Sequence, residues 1–409
     1  MKQAWQRGVK AGDMPGVVGA VVIVLLGVGL LWWMLTKEGE ASTKPSISAT
    51  PSASGLSAGP EPTKGQDHPL DMTRASESQL HKSQLADAKQ RLESYRAATR
   101  YPPESQPIAS HADVLKPFAP IVEARPALSA QGAPITARNL VSSQDRVYMS
   151  GKDSVLLTVA MRDDQNHPAP LRVIRATARE LPSMAAPPST VPPLALQFED
   201  RGANGDAVPG DGVHGARLQP ATQGFAATQG TIRIDVDFQS DTGGPAHTFF
   251  DLIYMPNVPA TWSGAVREVM NNGSLEFYLK AEMREAGRYL VSARAYDATG
   301  KPFALLSFND EVPAGSNEIR LTLFGKLARD AKPVFPITLR DIEGFVLYES
   351  RFPDRAMMAR WPQTAYTSRP HALSEFADVE WTSEQKDRYI KAFTDDLMAL
   401  EKSLSDPKP

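Results

Sequence analysis

Between Asp200 and Asp211 the chain reads Asp-Arg-Gly-Ala-Asn-Gly-Asp-Ala-Val-Pro-Gly-Asp, a short glycine-rich run dense in side-chain oxygens. Counted from Asp200, these fall at positions 1, 5, 7 and 12 (Asp200, Asn204, Asp206, Asp211), with Gly205 at position 6. The spacing partly follows a calcium loop, where a hard cation takes about 6 to 8 oxygens at ~2.3–2.6 Å and a glycine at the sixth place permits a sharp turn. Gly202 stands at position 3 and offers no side-chain ligand, so backbone carbonyls and water would have to complete a shell around a structural Ca2+. Asp and Gly also build turns unaided, the carboxylate bonding nearby amides and the glycine adopting positive φ. A structural calcium site and a self-sufficient turn are both open readings of these residues.

Other chemistry lacks a local signature. The seven histidines (His68, His81, His111, His167, His214, His247, His371) are scattered, with no H-E-x-x-H pair to hold zinc. There is no G-x-S-x-G elbow, no G-x-x-x-x-G-K-[ST] loop and no G-x-G-x-x-G turn, and zero Cys removes thiolate metal sites, a cysteine nucleophile and disulfides. Glycosidase carboxylates can lie far apart in sequence and are not tested by such motifs. No catalytic or cofactor-binding residue is assigned. With 44 Lys plus Arg against 47 Asp plus Glu, the chain has no basic footprint for nucleic acid.

The elements that must position the aspartate loop are strands. Short β-rich runs (147–149, 155–161, 171–178, 194–198, 213–218, 231–238, 247–255) alternate with Gly, Pro, Asp and Asn clusters, a pattern that predicts a first Ig-like β-sandwich over 140–257. In Thr231–Phe238, Ile232, Ile234, Val236 and Phe238 fall on one face and Arg233, Asp235 and Asp237 on the other. A second set (274–283, 288–296, 302–308, 317–325, 333–339, 343–349) predicts a second sandwich over 258–350, with Asn272-Gly273 as a tight turn. The expected fold is thus mainly β: two tandem sandwiches with flanking short helices.

Those helices are read over 75–100, from a Ser76/Gln79 capping box and the stripe Leu85, Ala88, Leu92, Tyr95, and within the C-terminal segment 351–409, from Thr382/Gln385 and the stripe Tyr389, Phe393, Leu397, Leu400, Leu404. Residues 101–139 are Pro-spaced and read as extended. Met14 to Leu35 carries no charge over 22 residues, enough helix for a ~30 Å hydrocarbon core and longer than a signal-peptide core. Lys2, Arg7 and Lys10 precede it, so the positive-inside rule predicts a cytoplasmic tail over 1–13, a retained transmembrane signal-anchor over 14–35 and the bulk of the chain outside the inner membrane. Residues 36–74, rich in Ser, Thr, Ala, Pro and Gly, read as a disordered linker.

From Phe198 through His214 the sequence resembles the Asp-Gly-rich loop of bacterial extracellular Ig-like modules, whose usual form is D-D-G-x-x-G-D-x-x-x-G-D-G-V-Y. Segments 273–289, 295–300 and 319–325 are similar to the β-sandwich often found after that loop in secreted and surface proteins of Gram-negative bacteria. Arg201 stands where a second acid is usual and His214 where a tyrosine is usual. The resemblance spans about residues 140–350 and implies fold and compartment rather than activity.

Address and architecture together lead to the expectation of a membrane-anchored periplasmic binding or scaffold protein that meets an envelope protein or polysaccharide. A periplasmic hydrolase, or an accessory domain of one, is the rival expectation; a structural spacer or assembly factor is the third.

Overall fold

The computed structural model describes residues 69–129, 132–182, 191–242 and 244–405. The tail over 1–13, the apolar run over 14–35 and the linker up to residue 68 lie outside them. Among the described residues no helix is long and apolar enough to cross a membrane. The described chain is mainly β, with long helices at its two ends and four sheets between them.

Strand alternation builds the first core. One sheet holds β2 (Ile121–Leu128), β3 (Pro134–Gln144) and β5 (Val155–Arg162) in that order, with β6 (Pro168–Ala169) and β9 (Val213–Leu218) also on β5. Its partner runs β4 (Tyr148–Ser150), β11 (Pro245–Met255), β10 (Gly230–Ser240), β7 (Leu171–Leu181), β8 (Leu194–Leu196). Val155, Leu157, Val159 and Met161 of β5 meet Ile232, Ile234, Val236 and Phe238 of β10, and all eight side chains are fully buried. Each such side chain contributes about 1.5–3 kcal/mol when removed from water.

The second core lies between β1 (Ser105–Pro107), β15 (Pro302–Val312), β14 (Gly287–Tyr296), β17 (Thr338–Leu347) and β18 (Arg355–Met357), with β19 (Trp361–Thr367) also on β17, and the facing sheet β12 (Ala260–Asn271), β13 (Ser274–Met283), β16 (Gly315–Leu323). Phe277 and Leu279 of β13, Ile319 and Leu321 of β16, and Tyr289 and Val291 of β14 are among its buried side chains. Asn272 (φ 48°) and Gly273 (φ 69°) close the β12–β13 hairpin with the two positive φ angles that a type I′ turn demands.

Several boundaries differ from the sequence reading. The segment read as extended over 101–139 supplies β1, β2 and the first half of β3; proline is tolerated there because β1 and β2 are edge strands. The set read as ending at 350 continues into β18 and β19, on the sheet that contains β17. Strand β17 begins only at Thr338, because Pro333 and Pro336 cannot join a ladder through an N–H. Strand β12 carries no apolar alternation, and its register slips between Trp262 and Val266, around Gly264. Helix α1 runs Pro69–Ala98, so residues 69–74, read as linker, are its first turns and Ser76 is interior rather than a cap.

The two predicted apolar stripes are partners. After α2 (Gly325–Ala331), helix α3 (Glu384–Ser405) returns along α1, with Tyr95 5.7 Å from Tyr389 and 5.4 Å from Phe393 between ring centres, and Lys89 3.3 Å from Glu401. Ala88 and Leu92 are buried at this seam. The α3 cap is Ser383, whose Oγ accepts the Lys386 amide at 3.1 Å, one residue beyond the predicted Thr382.

Candidate functional site

The aspartate loop connects β8 to β9, and its entry and exit are clamped by a two-way backbone bridge between Glu199 and Gly215, both bonds 2.9 Å. Gly215 must be glycine for a spatial reason: a Cβ there would sit 2.5 Å from the Asp206 amide nitrogen. That close approach lays the loop directly on β9. Asp206, 8% exposed, then accepts Gly202 N–H at 2.6 Å on Oδ2 and Val208 N–H at 3.2 Å on Oδ1. Asp200 accepts Gly210 N–H at 2.7 Å on Oδ1 and Gly212 N–H at 3.1 Å on Oδ2, while Asp211 Oδ1 takes Val213 N–H at 2.9 Å. Gly202, Asn204, Gly205, Gly210 and Gly212 all have positive φ, which turns these amides inward.

Asp200, Asp206 and Asp211 are thereby brought together, with one oxygen of each within 4.8 Å of the others. Asn204 is exposed at the tip, where its φ of 53° serves the turn. Chemically, three converging carboxylates could face a hard cation. Both oxygens of Asp200 and of Asp206 also accept backbone amides, so the loop is closed by hydrogen bonds of its own. Beside it opens a groove of about 500 Å3 lined by Arg172, Ile174, Arg201 and His214 among others. The Nδ1 of His214 is buried there without a hydrogen-bond partner.

Three further polar constellations escape local sequence reading. On the outer face of β7, β10 and β11, Arg175 pairs with Asp237 at 3.0 Å, Arg179 with Asp235 at 2.8 Å and Arg233 with Asp251 at 2.7 Å, and His247 bridges Asp237 (3.1 Å) and Asp235 (3.5 Å). The hydrogen bond from His247, and then that from Arg175, holds the Asp237 carboxyl below its usual range. Beside the second core, buried Glu268 accepts the Arg369 amide (3.1 Å) and Nε (2.8 Å), and lies 3.3 Å from His371 Nε2; the other ring nitrogen of His371 is 3.0 Å from Glu375. This set straps residues 368–376 over β12. Arg294, fully buried, donates to Val114 O (2.8 Å), Asp341 O (2.9 Å), Ser292 Oγ (3.2 Å) and Glu343 (2.7 Å).

Polar contacts join the sheets around the two cores. Ser150 Oγ on β4 accepts the Met357 amide of β18 at 2.9 Å, and Tyr148 OH reaches Asp354 at 3.3 Å. The Arg355 guanidinium lies 4.8 Å from the ring centres of both Tyr148 and Phe345. Burial opposes charge on Asp354, but the hydrogen bond and the positive charge of Arg355, with the Tyr148 hydrogen bond, together outweigh it and keep the carboxyl below its usual range. Arg360 donates to Asp145 O at 3.3 Å and covers the Phe118 ring; burial, then the neighbouring Arg146, lowers its pKa.

No protein-family profile and no curated sequence matches the chain. Among solved structures it is similar to a DUF4785 family protein of Legionella pneumophila (TM-score 0.36, 10% identity, covering 58% of this chain and 62% of that one) and to the native conformation of E. coli alpha-2-macroglobulin (TM-score 0.24, 10% identity, 61% and 18%). A tetra-tandem repeat from the extending region of a large adhesion protein gives a TM-score of 0.17 at 10% identity, with 60% of this chain and 66% of that one covered. The chain spans less than two thirds of the length of the first two structures, and at these scores none of the likenesses carries a functional conclusion.

Proposed function

We propose that the chain is a membrane-anchored binding or scaffold protein of the bacterial envelope, without catalytic activity of its own. Two tandem Ig-like β-sandwich domains are held outside the inner membrane by a retained signal-anchor over 14–35, joined to α1 through residues 36–68. The observation that carries this reading is the junction of Tyr148, Ser150, Asp354, Arg355 and Met357, which joins two separately cored sandwiches into one platform. Joining the two cores suits capture, because it keeps a contact surface that spans both of them preorganised. In this reading the aspartate loop is turn chemistry that supports the first sandwich, and structural calcium is not required.

The test is in-envelope crosslinking with the full chain, followed by capture and identification of the attached molecules. The proposal expects one recurring envelope protein or polysaccharide, lost when Arg355→Ala and Tyr148→Ala together loosen the junction. Release of soluble sugar from envelope polysaccharide by the purified chain would overturn it in favour of a hydrolase.

A further inference from the structure

We infer that the first core carries a binding trough for an acidic polysaccharide, a chain of carboxylated sugars, where β7 meets residues 197–201. The inference rests on the binding reading above and names its ligand class.

A bulge builds the trough. Along the β7–β10 ladder Asp237 faces Arg175 and Phe238 faces Val173, so Ile174 is an extra residue with no partner on β10. A bulge re-aims side chains. Here two consecutive residues, Ile174 (50% exposed) and Arg175, both stand out from the sheet, where strict alternation would turn one of them inward. Both line each of two hollows, one of about 500 Å3 that includes Arg201 and one of about 610 Å3 that includes His247. Ile174 and Arg175 are thus the ridge that the hollows share, and each hollow has the size of a small-ligand site. Residues 197–201 complete the wall of the first. Phe198 is buried, while Gln197, Glu199 and Arg201 offer polar groups to the hollow.

Those polar groups select the ligand. Arg175, Arg179 and Arg233 are each matched with an aspartate. Among the described residues Arg201 has no ion pair, and Arg172 donates only to the neutral Gln239, at 3.1 Å. Two guanidinium groups without a carboxylate favour an anionic partner, and their planar forks fit a carboxylate in two-point contact. Asp200, on the same wall, already accepts two amides, but Glu199 has no ion pair among the described residues. A ligand of this hollow must therefore also bring hydrogen-bond donors for Glu199 and Gln197. A carboxylated sugar brings both its carboxylate and its hydroxyls, and the C–H side of its ring packs on Ile174. An acidic peptide brings the carboxylates without the hydroxyls, and the bulge at Ile174 interrupts the ladder that it would extend. The second hollow across the ridge lets the trough hold a chain of sugars rather than one.

Calorimetric titration of the full chain in detergent tests this, with an oligogalacturonate beside neutral dextran and anionic poly-glutamate. The oligogalacturonate should bind, more weakly as salt rises, and the other two should not. Arg172→Ala with Arg201→Ala should weaken binding at least about tenfold. Arg201→Ala alone, which breaks no ion pair among the described residues, should weaken it as well. Lys280→Ala, which removes an exposed charge from β13, should leave it unchanged. Near-ultraviolet circular dichroism verifies that each variant is folded. No binding of oligogalacturonate, equal binding of dextran or poly-glutamate, or unchanged affinity in the folded double variant would overturn the inference. Capture of an envelope protein by a chain that binds no oligogalacturonate would overturn this inference alone. The titrated oligogalacturonate should be recovered at its starting length; shortened chains would instead overturn the non-catalytic reading above and leave the ligand class standing.

Discussion

Arg294 shows what a single residue can do that its sequence neighbourhood conceals. Alternation along β14 puts it on the solvent side of the strand with Ser292, yet the segment around Val114 covers that face and takes one of its hydrogen bonds. Arg294→Ala leaves two carbonyl oxygens and Glu343 without their donor, and should lower unfolding free energy by about 3 kcal/mol, read by denaturant titration. At Asp206 the sequence located the residue but left two roles open. Its two amide bonds serve the turn with or without an ion, so Asp206→Ala should cost about 2 kcal/mol. Melting curves in excess calcium and in chelator should coincide; a bound ion would separate them by ~2.7 kcal/mol at a hundred times its dissociation constant. Asp237 adds a pH dependence. Its carboxyl is held low by His247 and Arg175, so its stabilisation is fully present above the unfolded value near ~4 and is lost as pH falls through the lower folded value. Asp237→Asn should therefore flatten the acid limb of the melting-temperature profile below about pH 4, by an exposed-pair amount of roughly 0.5 kcal/mol.

Individual elements were legible where period and burial agree. The alternation of β10 named its buried face correctly, and Asn272-Gly273 placed a hairpin turn, because both signals are local. Strands β2 and β12 were not legible: β2 carries Pro126 and buries only Ala127, and β12 is interrupted at Gly264, so neither shows a repeating apolar face. The pairing of α1 with α3 was half legible, since each stripe was visible but the sequence does not say which surface a stripe meets. The aspartate loop followed the same rule. Its carboxylates and glycines were evident, while the demand on Gly215 comes from a backbone approach between β9 and the loop that no local pattern encodes. Gly215→Ala should force that approach apart and destabilise the first core by ~1–3 kcal/mol. Thermal unfolding of the full chain tests it; an unchanged melting temperature would mean that the loop is not seated as described.

At the scale of the whole molecule, two cores are fastened by a small set of polar contacts from β4 and β18, and this gives the proposed function its physical sense. Neither element stood out in the sequence as an interface, for β4 and β18 are three residues each and their partners lie about two hundred positions apart. The proposed placement of this platform outside a membrane rests on the uncharged run from Met14 to Leu35 staying attached to it. The most direct measurement is therefore the intact mass of the mature chain recovered from washed membranes. A mass that includes residues 14–35 is the predicted result. A chain released from the membrane with a mass that begins near Ala41 would contradict anchoring and with it the tethered-platform account.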